Sequence, residues 1–249
     1  MPVTALWAAP RSRSTAFFRS MLQYGELTAL HEPFCNVADF GETEVAGRVV
    51  RSERELIDAV VELAKDREVF FKDTTDHRYA QVLEDRRFLA GTRHTFLLRR
   101  PEEIAASFYA LQPDMTVSDI GIEGLYEVYR AVLDAGGPPP VVVDSDDLVN
   151  RPAQTMAAYC AALGLPYREE ALNWSASKRE EWQRTDRWHV AVSNSTGFSK
   201  SRSSYRHTVA NTPLLAEFAA HHQPFYELLR AVRLPVGEPA RVEEAAPAV

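Results

Sequence analysis

Apolar positions along the chain alternate between short continuous runs and stretches with helical spacing. Val3–Ala8 is an apolar run interrupted only by Thr4, the composition of a buried strand, and it stops at Pro10. Behind Ser12, Ser14 and Thr15, which offer helix caps, Phe17, Phe18, Met21 and Leu22 recur on one helical face. Leu27–Leu30 reads as a second strand running into His31-Glu32-Pro33-Phe34, and residues 35–52 carry turn residues without a period. Glu53–Lys65 has apolar positions at 56, 57, 60, 61 and 64, an amphipathic helix. Val69–Phe71 and His94–Leu98 predict a third and a fourth strand, each followed by a helical pattern. The second of these helices starts with Pro101, where a missing N–H is harmless, and has Glu102 and Glu103 at the positive end of its dipole. A helix over about 116–135, a strand at Val141–Val143, a helix over Pro152–Leu163 closed by Gly164, and a last helix near 213–231 complete the pattern. Residues 168–210 are less regular.

Strands alternating with helices predict an α/β fold, a mainly parallel sheet of about five strands with helices on both faces. In such sheets ligands bind beyond the carboxyl ends of the strands. Those ends carry Arg11, His31-Glu32, Lys72-Asp73 and Arg99-Arg100, so four separate segments bring charged groups to one edge.

Composition narrows the partners. With 28 Lys+Arg against 35 Asp+Glu the net charge is −7, which excludes the broad basic face that a nucleic-acid surface requires. An anionic ligand would have to be met by local positive charge. Cys35 and Cys160 cannot build a disulfide framework or a zinc knuckle, and the reading is a reduced, cytoplasmic protein. The run ending at Pro10 is too short for a signal peptide or a membrane span. Residues 1–235 are expected to form one domain, with 236–249 a mobile acidic Ala/Pro/Glu tail.

The segment Pro10-Arg11-Ser12-Arg13-Ser14-Thr15 places hydroxyls and two arginines between a strand and a helix start. Unpaired N–H donors and the positive dipole end make such a start a binding site for phosphate or sulfate, and arginine adds charge-assisted hydrogen bonds. The nucleotide-triphosphate loop GxxxxGK[ST] is absent, since Trp7 and Ser12 stand at its glycine positions when Ser14 is aligned with its last residue. The alternative is a plain capped helix with solvated arginines.

These residues resemble the 5′-phosphosulfate loop of sulfotransferases that use 3′-phosphoadenosine 5′-phosphosulfate (PAPS). The second signature of that family is an arginine at a strand end, a proline two residues on and a serine eight residues after the arginine; Arg99, Pro101 and Ser107 have this spacing. The segment Asp144–Tyr167 is also similar to bacterial members. The resemblance implies a P-loop-like three-layer sandwich and transfer of a sulfuryl group from PAPS to a hydroxyl or amine of a small-molecule acceptor. A secondary-metabolic role in which sulfate becomes a leaving group is left open, as is a homodimer. Arg11, Ser12, Arg13, Ser14 and Thr15 would hold the 5′-phosphosulfate, and Arg99 with Ser107 the 3′-phosphate. Two departures stand out. Arg13 replaces a glycine common in the loop, and Gly197-Phe198-Ser199-Lys200-Ser201-Arg202 matches only faintly the basic stretch that closes over the donor, which leaves Lys200 and Arg202 as weaker donor ligands. From Arg187 to His207 there are four Lys/Arg, two histidines and no acid, which suits a lid over an anion or a solvated basic loop.

By analogy with phosphoryl transfer, the reaction needs in-line positioning and charge neutralisation rather than a metal, with Arg11 and Lys72 as the neutralising cations. A hydroxyl acceptor must lose its proton. Glu32, in a segment similar to the family's His-Glu-Pro, is the first choice of base and His31 the second, with burial expected to raise the Glu32 pKa toward a useful range. Glu32 is alternatively a surface carboxylate or a partner of Arg11 or Arg13. Asp73 and His77 could hold the acceptor or orient the base, or could form a salt bridge and a cap. Two other classes compete: a P-loop kinase, which would need a loop glycine, a lysine and a Mg²⁺-binding acid, and a non-catalytic nucleotide-binding module.

Overall fold

A computed structural model describes residues 2–199 and 204–237, excepting the side chains of Glu180 and Glu181. Its strands are β1 (Val3–Ala8), β2 (Thr28–His31), β3 (Thr43–Val45), β4 (Arg48–Val50), β5 (Val69–Thr74), β6 (Arg93–Leu98) and β7 (Val141–Asp144). Five form a sheet in the order β2-β5-β1-β6-β7, every pair parallel, and β3 with β4 makes a separate antiparallel hairpin. The central position of β1 follows from its sequence, because all six of its side chains are buried and only an inner strand covered on both faces can meet that demand.

The helices are α1 (Ser14–Met21), α2 (Pro33–Phe40), α3 (Glu53–Leu63), α4 (Ala80–Glu84), α5 (Arg86–Gly91), α6 (Pro101–Tyr109), α7 (Ile122–Ala135), α8 (Ser145–Asn150), α9 (Pro152–Leu163), α10 (Asp186–Ser193) and α11 (Pro213–Ala231). They cover the two sheet faces. Val3, Ala5 and Trp7 of β1 point into a core shared with α3, α6, α7 and α11, while Leu6 and Ala8 point into a second core with α1, α8 and α9. The period of two along a strand thus divides one apolar run between two layers. No helix among the described residues is long and apolar enough to cross a membrane.

Four local readings change. Strand β5 runs to Thr74, so Lys72 and Asp73 lie inside the sheet rather than beyond its end. The unpatterned stretch 35–52 contains most of α2 and the β3–β4 hairpin, elements too short to show a period. The helix expected over 116–135 is divided at Gly121 (φ 73°), which ends a 3₁₀ turn (Val117–Ile120) before α7 begins. The irregular stretch after 168 contains α10. Lys200 and Arg202, and the tail from residue 238, lie outside the described residues.

The Gly121 break has a packing reason. A Cβ there would lie 2.5 Å from Pro10 Cδ, and one at Gly124 would lie 2.6 Å from the Thr75 carbonyl oxygen. Thr75 Oγ1 in turn donates to the Gly121 carbonyl at 2.8 Å. The start of α7 is therefore drawn against the segments that leave β1 and β5, bracing the edge where the charged residues gather. Gly→Ala inside a helix ordinarily stabilises by about 1 kcal/mol. We expect Gly124→Ala to do the opposite, with a net loss of roughly 1–3 kcal/mol from overpacking against backbone. Urea unfolding measures this, and a raised midpoint would show that α7 is free to move outward.

Candidate active site

The segment leaving β1 turns sharply before α1. Arg11 (φ 59°) and Arg13 (φ 71°) both adopt the left-handed conformation, which costs a residue with a side chain on the order of 1–2 kcal/mol. No side chain caps α1, contrary to the expected role of its hydroxyls; the Arg13 carbonyl takes the Ala16 N–H, and the Ser14 and Thr15 N–H groups ahead of it are the candidates for a ligand. The arginines hold the turn instead. Arg11 Nε donates to Ser107 Oγ at 3.1 Å and its NH1 to the Trp188 carbonyl at 2.8 Å. Arg13 reaches Ser145 Oγ at 2.8 Å and lies near Glu103 and Asp146 at 3.6 and 3.5 Å. Where a glycine would only permit the turn, Arg13 ties it to the start of α8.

The next strained residue stands two sheet positions away, across β5. Glu32 (φ 49°) follows β2, and its backbone N–H donates to the Lys72 carbonyl at 2.7 Å. His31 is paired with Lys72 across the sheet. This register places the Lys72 ammonium against Glu32 Oε1, with Lys72 only 1% exposed and Glu32 8%. The partner of Glu32 is thus Lys72, neither Arg11 nor Arg13. Burial alone would raise the Glu32 pKa, but Lys72, His31 and His189 overcome it and hold the carboxyl at about 2. The expected rise does not occur. His31 Nδ1 and His189 Nε2 lie 3.6 and 4.0 Å from Glu32 Oε2, and burial lowers the two imidazoles to about 3 and about 4, so both are neutral near pH 7.

Strand alternation sends Asp73 to the opposite sheet face from Lys72. It is fully buried, and it accepts hydrogen bonds from the Phe34 and Cys35 N–H groups at 2.6 and 3.0 Å, which anchors the first turn of α2. Burial and the charge of Glu32 raise its pKa to about 8. At the other end of the site, Arg99 NH1 donates to the Arg11 carbonyl at 2.7 Å while its Nε meets Glu103 at 2.8 Å.

A cavity of about 720 Å³ opens at this edge of the sheet, and its wall includes Arg11, Arg13, Ser14, Thr15, Glu32, Lys72, His77, Arg99 and Ser107. Three expected site residues lie off that wall. Ser12 is buried beneath the turn with Oγ unpartnered, His31 packs behind Glu32 against Phe18 and Trp182, and Asp73 is consumed by α2. His77 pairs with Asp39 at 2.9 Å.

The far wall comes from α10 and the residues before it, of which the sequence singled out only the acid-free stretch that starts at Arg187. His189 is 3% exposed; its Nδ1 lies 3.3 Å from Thr15 Oγ1 and its Nε2 3.1 Å from Thr185 Oγ1. Nothing in the spacing pairs position 189 with position 32.

Among the described residues, two groups have donor atoms within 4.8 Å of one another and could approach a metal ion: His31-Glu32-His189 and Cys35-Asp39-His77. The first already contains the Lys72 ammonium, which would repel a cation. In the second, Asp39 is shared by hydrogen bonds from Cys35 Sγ at 3.4 Å and His77.

Residues 1–233 match the family described as a sulfotransferase domain. An Arabidopsis thaliana protein called branched-chain-amino-acid aminotransferase-like protein 2 is 27% identical over 92% of this chain, and the chain spans 42% of that protein's length. A sulfotransferase, ppzF, of Metarhizium majus is 35% identical over 69 residues, 26% of this chain and 20% of the relative. Among solved structures, a sulfotransferase from Alicyclobacillus acidocaldarius superposes with a TM-score of 0.52 at 12% identity, covering 93% of this chain and 95% of the other, which shows a common fold. The family match runs through the strained arginine turn, the Glu32–Lys72 pair and the Arg99–Ser107 segment alike, and the chain belongs to the sulfotransferase domain family.

Proposed function

We propose that the protein transfers a sulfuryl group from PAPS to a hydroxyl of a small-molecule acceptor and releases adenosine 3′,5′-bisphosphate. The observation that carries this reading is the hydrogen bond from Arg11 to Ser107. It joins the turn suited to the phosphosulfate to the segment suited to the 3′-phosphate across 96 residues of sequence, on the wall of one cavity of about 720 Å³.

Each group then has a task. The first-turn N–H groups of α1, with Ser14 and Thr15, receive the phosphosulfate oxygens. Arg99 and Ser107 bind the 3′-phosphate, and Arg99 also holds the turn through the Arg11 carbonyl. As the sulfur passes in line to the acceptor oxygen, negative charge grows on the phosphate oxygen of the leaving nucleotide. Arg11 and Lys72 neutralise it. A lysine drawn toward that oxygen loosens its hold on Glu32, and the acceptor proton passes into the group around this carboxylate. In this reading the protein's own cations do the work for which phosphoryl-transfer enzymes use a metal. The acceptor is a small molecule, as the size of the cavity favours.

Calorimetric titration is expected to show adenosine 3′,5′-bisphosphate binding in EDTA without Mg²⁺, whereas binding of ATP only with Mg²⁺ would favour a kinase. Arg99→Ala is expected to weaken nucleotide binding by about 10- to 100-fold, since a charge-assisted hydrogen bond contributes roughly 1.5–3 kcal/mol, and Ser107→Ala by about 3- to 10-fold, a neutral bond of about 1 kcal/mol. Unchanged affinity in both variants removes the 3′-phosphate assignment. Glu32→Gln leaves the Lys72 charge buried and unpaired, a loss of about 3–5 kcal/mol. Its double variant with Lys72→Met is therefore the cleaner protein. Stability should return in the double variant while labelled-PAPS turnover stays at least 100-fold down. Recovered turnover would remove this pair from the reaction.

A further inference from the structure

The Glu32–Lys72 pair leaves the acceptor's proton without a good recipient. A carboxylate held at about 2 by a buried ammonium is a feeble base near neutral pH, because base strength falls with pKa. The same arrangement makes Glu32 a permanent anion, able to orient a neighbour. That neighbour is His189.

His189 reaches the site from α10, the far wall of the cavity, and its two ring nitrogens face different partners. Nε2 points to Glu32 Oε2 at 4.0 Å and to Thr185 Oγ1 at 3.1 Å, while Nδ1 faces Thr15 Oγ1 at 3.3 Å, at the start of α1. The ring is walled by His31 at 5.0 Å and Trp182 at 5.3 Å between centroids, which limits its rotation. It also lines the cavity. A hydroxyl and a carboxylate beside one nitrogen, and a cavity-lining threonine beside the other, fix the ring so that Nδ1 faces the side where ligand oxygens would enter.

We propose that His189 is the catalytic base of the transfer, with Thr185 Oγ1 accepting its Nε2–H, Glu32 at 4.0 Å as the carboxylate that stabilises the imidazolium, and Nδ1 left to accept the acceptor's hydroxyl proton. The inference rests on the function proposed above and deepens it. The balance is simple. The acceptor oxygen forms a bond to sulfur, the bond from sulfur to the bridging phosphate oxygen breaks with its electron pair leaving on the nucleotide, and the hydroxyl proton moves to Nδ1. The resulting imidazolium lies against Glu32. Thr15 occupies the Nδ1 side in the ligand-free geometry, and it is also the residue at which the sulfuryl oxygens are proposed to arrive.

Several charges face the ring. Lys72 from β5 and Arg11 from the turn disfavour its protonation, Glu32 after β2 and Asp186 on its own helix favour it, and His31 is neutral beside it. A bound phosphosulfate sets its negative charge against Arg11 and Lys72. The imidazole becomes more basic only when donor is present, so the base is strengthened for the complex that needs it.

The test measures turnover of labelled PAPS with 4-nitrophenol, tyramine and water as acceptors, over pH 5 to 9. The wild type is expected to show an acid limb that lies at higher pH in kcat, which reports the donor complex, than in kcat/KM for the donor, which reports the free enzyme. His189→Asn and His189→Gln should bind adenosine 3′,5′-bisphosphate within about 3-fold of wild type, lose kcat by about 10²- to 10⁴-fold, the range for general-base catalysis, and lose the limb. Added imidazole should restore at least a tenfold part of the rate. Two variants and the wild-type profile keep the test decisive if one variant folds poorly. Full activity in either variant, an unchanged limb, or a lost rate that imidazole does not rescue overturns the assignment and leaves the function standing. A wild type no faster than the uncatalysed reaction with every acceptor overturns both.

Discussion

Lys72 is a charged side chain within a strand of a parallel sheet, almost wholly removed from water. Separated from its partner, such a group would cost several kcal/mol, and the local structure is arranged so that this does not happen. Glu32 must sit directly against it, which requires the chain after β2 to turn at once through a left-handed residue. That turn in turn starts α2, whose first amides are claimed by Asp73 on the neighbouring strand position. One lysine and one aspartate on successive residues of β5 therefore organise both sheet faces at the edge where the cavity opens.

Burial and charge act on these groups in opposite senses, and the balance separates their protonation states. Glu32 is kept ionised by an adjacent cation, His31 and His189 are kept neutral by loss of solvent, and Asp73 is pushed toward the neutral acid by burial beside Glu32. Strain has the same address. Of the four described residues with side chains in the left-handed region, Arg11, Arg13 and Glu32 border the cavity, and the fourth, Ala46, belongs to the β3–β4 hairpin. Left-handed backbone at the ends of two strands aims charged side chains at one volume.

Much of this was readable from particular residues. The apolar run of β1 announced a buried strand, and the spacing of Arg99, Pro101 and Ser107 after a strand carried the resemblance to the family. The sheet edge collecting Arg11, Glu32, Lys72 and Arg99 followed from alternating strands and helices. The charge pattern misled at Lys72-Asp73, because polar residues normally end a strand and here they continue it, each satisfied by a partner that the sequence cannot display. Residues 35–52 hid α2 and a hairpin for a different reason: eight- and three-residue elements offer too few turns for a period. His189 was invisible as a site residue, since its neighbours Thr15 and Glu32 are more than 150 residues away.

The sequence by itself determined the layers, the order of chemistry along the chain and a local concentration of cations in a protein of net charge −7. These are properties of spacing and composition, carried by near neighbours. Tertiary structure alone decided the partners. Strand register set Lys72 against Glu32, the β1–α1 turn brought Arg11 to Ser107, and the fold of α10 over α1 delivered an imidazole to a carboxylate. Protonation states followed from those contacts, because the pKa of a buried group depends on which charges lie within a few ångströms, a quantity that exists only once the chain has closed on itself.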